Sequence, residues 1–288
     1  MTKSENPPPA TNRGVETLTT EQIDWISMTL PIDATRRWPD GLETASTTTK
    51  SFNGYDTAVE YPDGRIELTS SNRPEMGCHL VLSGTTCSNL RDWLPRILQN
   101  SWGEMGRVTR FDLALDDERG RTNPRDASQY IATGEVICRA REYPVNQDVR
   151  GGGYTQYLGK MSSEVHVCIY EKDAEQGRYG FKTRVEIRFK GKKADKAAKT
   201  YLQSDDCRGL ISGYVRFPQW KEWNEVFSTK PLRIAAEETK SRRVRWLLGQ
   251  VAKSMALEIV ERAGDMQILE VFEMKVRENL SSLRHTTE

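Results

Sequence analysis

Three segments in the middle of the chain alternate apolar and polar residues with a period of two, and this pattern constrains the fold more than any other feature. They are RFDLALDD (110–117), VHVCIY (165–170) and TRVEIRF (183–189). Successive side chains of a β-strand point to opposite faces of its sheet. The apolar positions therefore predict one buried face, and the remaining positions predict a second, polar face.

That polar face has an unusual composition for a surface that simply meets water. If the three strands share one sheet, parity places these ionisable or nucleophilic side chains together: Asp112, Asp116, His166, Tyr170, Arg184, Glu186 and Arg188. An antiparallel sheet can expose one polar face to solvent, and the pattern alone leaves that explanation open. Against it, Asp is unfavourable inside strands, and conflicts with local propensity are common at functional sites.

The order of the predicted elements indicates two regions after a short tail. Residues 1–20 are rich in Pro, Ser, Thr and Asn, which is typical of disorder. Strand patterns dominate up to about residue 190, and helical patterns dominate 192–283. We expect an α+β fold, with an antiparallel-rich sheet domain bearing the polar face over 21–204 and a helical region over 205–288.

Local signals predict the individual elements. Ser88 is expected to cap a helix over 89–99, and Asn123-Pro124 to open a helix that ends near Thr133. Residues 134–153 are expected to be a connector, and 208–217 fit either a helix or a strand. Two further helices are predicted over 234–262 and 266–283.

Composition excludes several classes of protein. The chain has 42 Lys+Arg against 41 Asp+Glu, so it is not a uniformly basic DNA-coating protein. No apolar run approaches the roughly 20 residues of a membrane span, and the N-terminus lacks a signal-peptide core. Five Cys without CxxC spacing argue against a zinc ribbon or a disulfide framework. We therefore expect a cytoplasmic protein with no membrane partner.

The residue types on the polar face indicate phosphate chemistry. Carboxylates without a matching Lys cluster are natural ligands for Mg²⁺ or Mn²⁺, which prefer oxygen donors. A Tyr beside such a metal can act as a covalent nucleophile on phosphate. An Arg nearby can hold phosphate oxygens through paired hydrogen bonds.

Five blocks occur in order across residues 77–195: a strand ending in Ser83-Gly84, RFDLALDD, YLGKMSS, IYEKDAE and RVEIRFK. Together they resemble the replication initiation factor family, also called Rep_trans. That family includes initiators of staphylococcal rolling-circle plasmids, filamentous-phage replication proteins and relaxases of some integrative conjugative elements. The resemblance implies that a Tyr nicks one strand at an origin. It keeps the 5′-phosphate as a phosphotyrosine and frees a 3′-OH, while a divalent metal polarises the phosphate.

Carried over by motif, the nucleophile is Tyr170, with Tyr157 as its rival. Parity places Tyr170 on the polar face with the acids, whereas Tyr157 precedes Leu158 and Gly159 and could be a packing aromatic. The resemblance implies that further residues bind a metal or the phosphate. The implied metal ligands are Asp112 and Glu186, with Asp116 as a ligand or base. The implied phosphate-stabilising cations are Lys172 and Arg184, although a simple surface charge also explains Lys172. By parity His166 lies on the same face and is a further candidate ligand, although a lone His is more often structural.

Basic segments predict the DNA contacts. A face of acids repels a DNA backbone, so affinity is expected from cationic surface elsewhere. Residues 178–199 hold nine Lys/Arg against two acids, and SRRVR (241–245) opens the long helix. The expected contacts are Arg188, Lys190, Lys192, Lys193, Arg242, Arg243 and Arg245. A solvated helix face is the alternative explanation for such runs.

We therefore expect a rolling-circle initiator whose partner is origin DNA. The resemblance adds a host helicase and a second copy of the chain as expected partners. Three alternatives stay open: a relaxase acting at a transfer origin, a catalytically inactive DNA-binding replication or regulatory protein, and a metal-dependent nuclease that uses activated water. Only the tyrosine mechanism leaves a covalent protein–DNA adduct, so such an adduct separates the initiator from the metal-dependent nuclease.

Overall fold

The structure is a computed structural model that describes residues 19–32, 38–42, 44–148, 153–177, 180, 182–227, 230–234, 270–271 and 273–274. Its main feature is a sheet of ten strands. They are β1 (Thr19–Leu30), β2 (Thr47–Thr48), β3 (Thr57–Glu60), β4 (Ile66–Thr69), β5 (Cys78–Leu82), β6 (Arg107–Asp117), β8 (Val145–Asp148), β9 (Gly153–Leu158), β10 (Val165–Glu171) and β11 (Thr183–Lys190); β7 (Ile137–Cys138) pairs separately with β12 (Val215–Arg216).

The strand order is β2-β3-β4-β5-β1-β6-β11-β10-β9-β8, and each neighbouring pair is antiparallel. Short helices connect or follow the strands. They are α1 (Gly84–Asn89), α2 (Leu94–Gly103), α3 (Pro124–Ala132), α4 (Lys172–Glu175), α5 (Gly191–Ser204), α6 (Cys207–Tyr214) and α7 (Lys221–Val226). The predicted α+β class, with an antiparallel-rich sheet, is confirmed.

One face of the sheet is covered by helices and carries the main core. Phe111, Leu113 and Ile187 are fully buried there, as their alternating positions predict. Helix α5 packs against β6 and β11 through Ala194, Ala197 and Ala198, which are also fully buried. These alanines recur at helical spacing, and small side chains there let the helix backbone lie close to the strands. The opposite face of β6, β10 and β11 is therefore left for polar side chains.

Some local predictions hold and others are wrong. Asn123 caps α3, since its side chain accepts a hydrogen bond of 2.8 Å from the Arg125 amide. Ser88 caps no helix: it lies inside α1, and its hydroxyl donates to the Gly84 carbonyl at 3.0 Å. Helix α2 begins only at Leu94, with a proline in its first turn.

The predicted connector and the ambiguous segment both contain regular structure. Within 134–153 the structure has β7 and β8, and β8 pairs with β9 at the edge of the sheet. Residues 207–216 form α6 followed directly by β12, so the helix and strand expectations each apply to part of the segment. Leu210 and Ile211 of α6 are buried in the same core as the sheet.

The chain divides into two compact units, Met1–Ile234 and Ala235–Glu288. The first unit continues past residue 204, where the sequence-based domain boundary lies. The helices predicted over 234–262 and 266–283 fall almost entirely outside the described residues, as do Arg242, Arg243 and Arg245 and most of the predicted tail. Within the described part of the chain, no helix is long and apolar enough to cross a membrane.

Candidate active site

The sheet register brings the three alternating segments side by side, with β11 between β6 and β10. Arg188 lies opposite His166 on β10 and opposite Asp112 on β6. Two residues along β11, Glu186 lies opposite Cys168 and Ala114, and Arg184 then lies opposite Tyr170 and Asp116. Because directly opposite residues share a face, the predicted polar face exists as one continuous surface. We use the term polar face for this side of the sheet.

The carboxylates of the polar face are paired with arginines rather than with each other. Arg184 donates to Asp116 through Nε (2.5 Å) and Nη2 (2.8 Å), a bidentate geometry. Arg188 binds Glu186 in the same way, with Nε to Oε1 at 2.5 Å and Nη2 to Oε2 at 3.1 Å. On β6, Arg110 donates through Nε (2.9 Å) and Nη2 to Asp112 Oδ2. Each acid is therefore largely neutralised.

Burial separates the acids from the arginines on this face. Asp112 is fully buried and Glu186 is 1% exposed, whereas the Arg110 and Arg188 side chains are 31% and 25% exposed. A ligand that approaches here meets guanidinium groups before it meets carboxylates. The expectation of a carboxylate surface that repels DNA is therefore wrong. Arg110 and Arg188 each pair with the acid two residues away on their own strand, and Arg184 pairs across strands with Asp116.

Tyr170 lies beside Glu186 near one end of the face. Its hydroxyl donates to Glu186 Oε2 at 3.3 Å, and the side chain is 9% exposed. Burial, reinforced by the negative charge of Glu186, raises the pKa of Tyr170 well above its usual value. The Lys172 ammonium group lies 5.5 Å from the ring centre and also pairs with Glu175 at 2.6 Å. Tyr170 is therefore a neutral phenol that needs a proton acceptor in order to attack, and Glu186 is in place to be one.

Tyr157 shares the polar face. On β9 it lies opposite Cys168, which is itself opposite Glu186. Parity therefore does not separate Tyr157 from Tyr170, and the argument that placed only Tyr170 with the acids is wrong. That argument considered the neighbours of Tyr157 in sequence but not its partner across the sheet. What distinguishes Tyr170 is its direct hydrogen bond to Glu186.

Asp24 is a further residue of the site that the sequence analysis missed. It lies in β1, where the pairing with β6 shifts register between Ile23 and Trp25 and makes a β-bulge. Its carboxylate accepts from Arg184 Nη1 at 2.6 Å. Burial, together with the negative charge of Glu186, raises the pKa of Asp24. The signal was a change of parity: Ile23 and Trp25 are apolar at odd positions, whereas the apolar residues that follow are at 26, 28 and 30.

The predicted phosphate-binding and DNA-binding cations lie in different places. All three guanidinium nitrogens of Arg184 are engaged by Asp116 and Asp24, and the residue is only 7% exposed. Lys190 donates to the Met161 carbonyl at 2.6 Å. Lys192 and Lys193 are exposed in the first turn of α5, the helix that packs on the other side of the sheet.

The polar face contains donors of the type that bind divalent cations. Asp112 Oδ1 and both ring nitrogens of His166 are buried and make no hydrogen bond. Burial, followed by the charges of Arg188 and Lys190, lowers the pKa of His166 to about 4, so the ring is neutral and can act as a ligand. Burial raises the pKa of Asp112 to about 6, although Arg110 opposes the shift. Among the described residues, however, no three His, Cys, Asp or Glu side chains are grouped closely enough to hold a metal.

Comparison with known proteins places this site in a family. A model of the replication initiation factor family matches residues 106–270, which is more than half of the chain and includes β6, β9, β10 and β11. A Bacillus subtilis (strain 168) protein described as the DNA relaxase NicK is 27% identical over 255 residues, covering 74% of this chain and 72% of that protein. The structure of a rolling-circle replication initiator protein from Geobacillus stearothermophilus has the same fold. It superposes with a TM-score of 0.58 at 20% identity, covering 75% of this chain and 98% of that one.

The family match spans the strands that build the polar face, and the similar structure has the same sheet-centred fold. The five sequence blocks, the strand register and the comparisons therefore agree. The chain belongs to the replication initiation factor family, whose relatives are rolling-circle replication initiators and DNA relaxases.

Proposed function

We propose that the protein nicks one DNA strand at an origin and that Tyr170 is the nucleophile. The observation that carries this proposal is the 3.3 Å hydrogen bond from the Tyr170 hydroxyl to Glu186 Oε2, in a chain of this family. A phenol that already donates to a carboxylate has an acceptor for the proton it loses during attack. Tyr157, on the same face, makes no such contact with an acid among those the structure describes.

In the proposed step, the Tyr170 oxygen bonds to the scissile phosphorus while the bond from phosphorus to the 3′ oxygen breaks. The phenol proton passes to Glu186. The leaving 3′ oxygen keeps the bonding electron pair and takes up a proton, which gives a free 3′-OH. The products are a 5′-phosphotyrosine and a 3′ end that a polymerase can extend. Because the phosphodiester is exchanged and not hydrolysed, the reverse reaction rejoins the strand.

Arg188 is the cation best placed to bind the scissile phosphate. It is paired with Glu186, and its side chain is 25% exposed on the polar face. A guanidinium can contact a carboxylate and a phosphate through different N–H groups. Arg184, which the family resemblance implies for this role, is enclosed by Asp116 and Asp24. We therefore propose that Arg184 holds the site together and that Arg188 meets the DNA.

A divalent cation, Mg²⁺ or Mn²⁺, is part of the proposal. The residues that would hold it are Glu186, Asp112 through its unpartnered Oδ1, and His166. The types of donor suit such an ion, but in this structure the three side chains are not grouped closely enough to hold one. The ion would polarise the scissile phosphate. Asp116 is occupied in the same way as Glu186: both oxygens of Asp116 accept from Arg184, as both oxygens of Glu186 accept from Arg188, and one Asp116 oxygen also lies 3.2 Å from Lys182.

The nucleophile is tested with two matched variants, Tyr170→Phe and Tyr157→Phe, each of which removes only a hydroxyl. The protein is incubated with Mn²⁺ and a labelled supercoiled replicon that carries its origin, and covalent protein–DNA adducts are counted on denaturing gels. We expect Tyr170→Phe to abolish nicking and adduct formation, and Tyr157→Phe to retain both. The opposite result would assign the chemistry to Tyr157.

The metal is tested separately. We expect Asp112→Asn and Glu186→Gln to weaken Mn²⁺ binding, measured by electron paramagnetic resonance of free Mn²⁺, and EDTA to stop nicking by the wild type. Undiminished nicking in EDTA would remove the metal from the proposal.

The same assays distinguish the alternative functions. Nicks without an attached protein would indicate a nuclease that uses activated water, and DNA binding without nicks would indicate a protein without catalysis.

The same chemistry serves a replication initiator and a relaxase, which differ in the origin they recognise. The Bacillus subtilis relative favours a relaxase and the Geobacillus stearothermophilus structure favours a rolling-circle initiator. Comparing nicking on a replication origin and on a transfer origin of the host element separates the two. Origin DNA, a host helicase and a second copy of the chain are the proposed partners, and the cytoplasm is the proposed location.

A further inference from the structure

We propose that Trp25, Arg110 and Asp112 form a stacking platform for one unpaired base of the DNA strand, on the same face as Tyr170. The proposal rests on the proposed function, because it names how the nicked strand is held. Trp25 lies outside the stretch that matches the family, and nothing in the five sequence blocks points to it.

The platform is a layered stack. The Arg110 guanidinium carbon lies 4.3 Å from the centre of the Trp25 ring, which is the distance of a cation–π contact. Trp25 pairs with Asp112 across β1 and β6, and Arg110 pairs with the neighbouring Ser27. All of these side chains are therefore on the polar face.

Both layers are held in a single orientation. The Trp25 indole N–H donates to Ser27 Oγ at 2.7 Å. Arg110 Nε donates to Asp112 Oδ2 at 2.9 Å, and Nη2 donates to the same oxygen. An aromatic or guanidinium plane that is already ordered loses little conformational entropy when a base stacks on it.

The charge of Arg110 is balanced while part of its side chain stays accessible. Its partner Asp112 is fully buried, but the Arg110 side chain is 31% exposed. Its guanidinium carbon lies over the Trp25 ring, so the exposed part of the side chain faces away from that ring. Nε and Nη2 of Arg110 are already occupied by Asp112, and a base can gain from stacking on the planar group that remains.

The surroundings on the other side of Trp25 are apolar. Trp25, Tyr55 and Ile66 pack against a small cluster formed by Ala58, Leu68 and Val81. Val81 lies opposite Ser27, so this cluster lies on the same side of the sheet as the platform. An apolar and aromatic border next to a cationic plane suits a base and its sugar better than a backbone phosphate.

The test uses the full chain in the Tyr170→Phe background, so that the DNA stays intact. The probes are a fluorescein-labelled 12-nucleotide oligothymidylate, the same strand with one central 2-aminopurine, and a 12-base-pair duplex. The key variant is Arg110→Lys, which keeps the charge but removes the plane. Arg107→Lys, at an exposed position of the same strand, is the matched control.

We expect Arg110→Lys to weaken single-strand binding about 5- to 100-fold, the range for losing one stacked base, and to reduce the quenching of 2-aminopurine. Duplex binding and the salt dependence of single-strand binding should be unchanged, because duplex bases are already stacked and the charge remains. Arg107→Lys should bind both probes as the background protein does. Trp25→Leu should reproduce the single-strand defect, and melting curves would show that each variant is folded.

Two results would overturn the platform. Wild-type single-strand affinity in Arg110→Lys would show that no base stacks there. An equal loss on single strand and duplex would make Arg110 a phosphate contact. Neither depends on cleavage, so a failure of the proposed nicking chemistry would appear only in the adduct assay and is distinguishable from a failure of the platform.

Discussion

At the scale of single residues, the site is organised by the sharing of arginines between acids. Arg184 is the clearest case, since it spans Asp116 on the adjacent strand β6 and Asp24 in the bulge of β1. A buried guanidinium with an unfilled N–H group would cost free energy. The bulge therefore has a structural role. It carries Asp24, which accepts from Arg184 Nη1, whereas Asp116 accepts from Nε and Nη2.

Removing that acceptor should destabilise the protein. We expect Asp24→Ala to lower the free energy of unfolding by about 1–3 kcal/mol, the usual cost of an unsatisfied buried polar group. Asp24→Asn should cost less, because its amide oxygen can still accept from Arg184 Nη1. Urea denaturation of both variants measures the difference. Equal losses would mean that the negative charge of Asp24 matters and not its hydrogen-bond acceptor.

At the scale of elements, a carboxylate just before β3 ties β3 to its neighbour β4. Asp56 accepts hydrogen bonds from the backbone N–H groups of Ser71 and Asn72 and from the hydroxyls of Ser70 and Ser71, all just after β4. Desolvation would raise the pKa of Asp56, but these hydrogen bonds outweigh it and lower the pKa to about 2. The start of one strand is thereby tied to the end of its neighbour.

This interaction should make the stability of the hairpin depend on pH. The pKa is lower in the folded state than the usual value near 4, so the stabilisation is complete above about pH 4 and decreases as the pH falls towards 2. We expect the urea midpoint of the wild type to exceed that of Asp56→Asn at pH 6, and the gap to narrow between pH 4 and pH 2.5. A gap that stays constant over this range would mean that Asp56 does not titrate with the lowered pKa.

At the scale of the whole molecule, the polar face is electrically balanced and cannot supply strong affinity for duplex DNA by itself. Its acids are paired with Arg110, Arg184 and Arg188, and two of those arginines stay partly exposed. The remaining predicted DNA-binding cations are Lys190 at the end of β11, Lys192 and Lys193 on α5, and Arg242, Arg243 and Arg245 in the second compact unit. Duplex binding and strand chemistry are therefore expected to depend on different surfaces.

We expect the triple variant Arg242→Ala, Arg243→Ala, Arg245→Ala to reduce the dependence of log affinity on log salt. The slope should fall by roughly 0.9 for each phosphate that the variant no longer neutralises, up to about three phosphates. Cleavage of a short single-stranded oligonucleotide should decrease less, since it relies on the polar face. The double variant Lys192→Ala, Lys193→Ala is measured in the same assays for comparison with the triple variant. An unchanged salt slope and duplex affinity in the triple variant would mean that residues 241–245 form an ordinary solvated helix surface.

The sequence by itself determined which side of each strand is polar. The alternation in RFDLALDD, VHVCIY and TRVEIRF depends only on the two-residue period of a strand, which is a local property of the backbone. The same local reasoning found the cap at Asn123. The ordered blocks around Tyr170 and Glu186 were also enough to indicate the family that the comparisons show.

The tertiary structure alone decided what those side chains touch. Strand order and register come from hydrogen bonds between segments far apart in the chain, so sequence parity could not place Tyr157 opposite Cys168 or Arg188 opposite Asp112. Register also set the pairing of Arg184 with Asp116, whereas Arg110 and Arg188 pair with acids two residues away on their own strands. The bulge at Asp24 shows the same limit within one strand: parity carries no information across an irregularity whose position depends on the neighbouring strand.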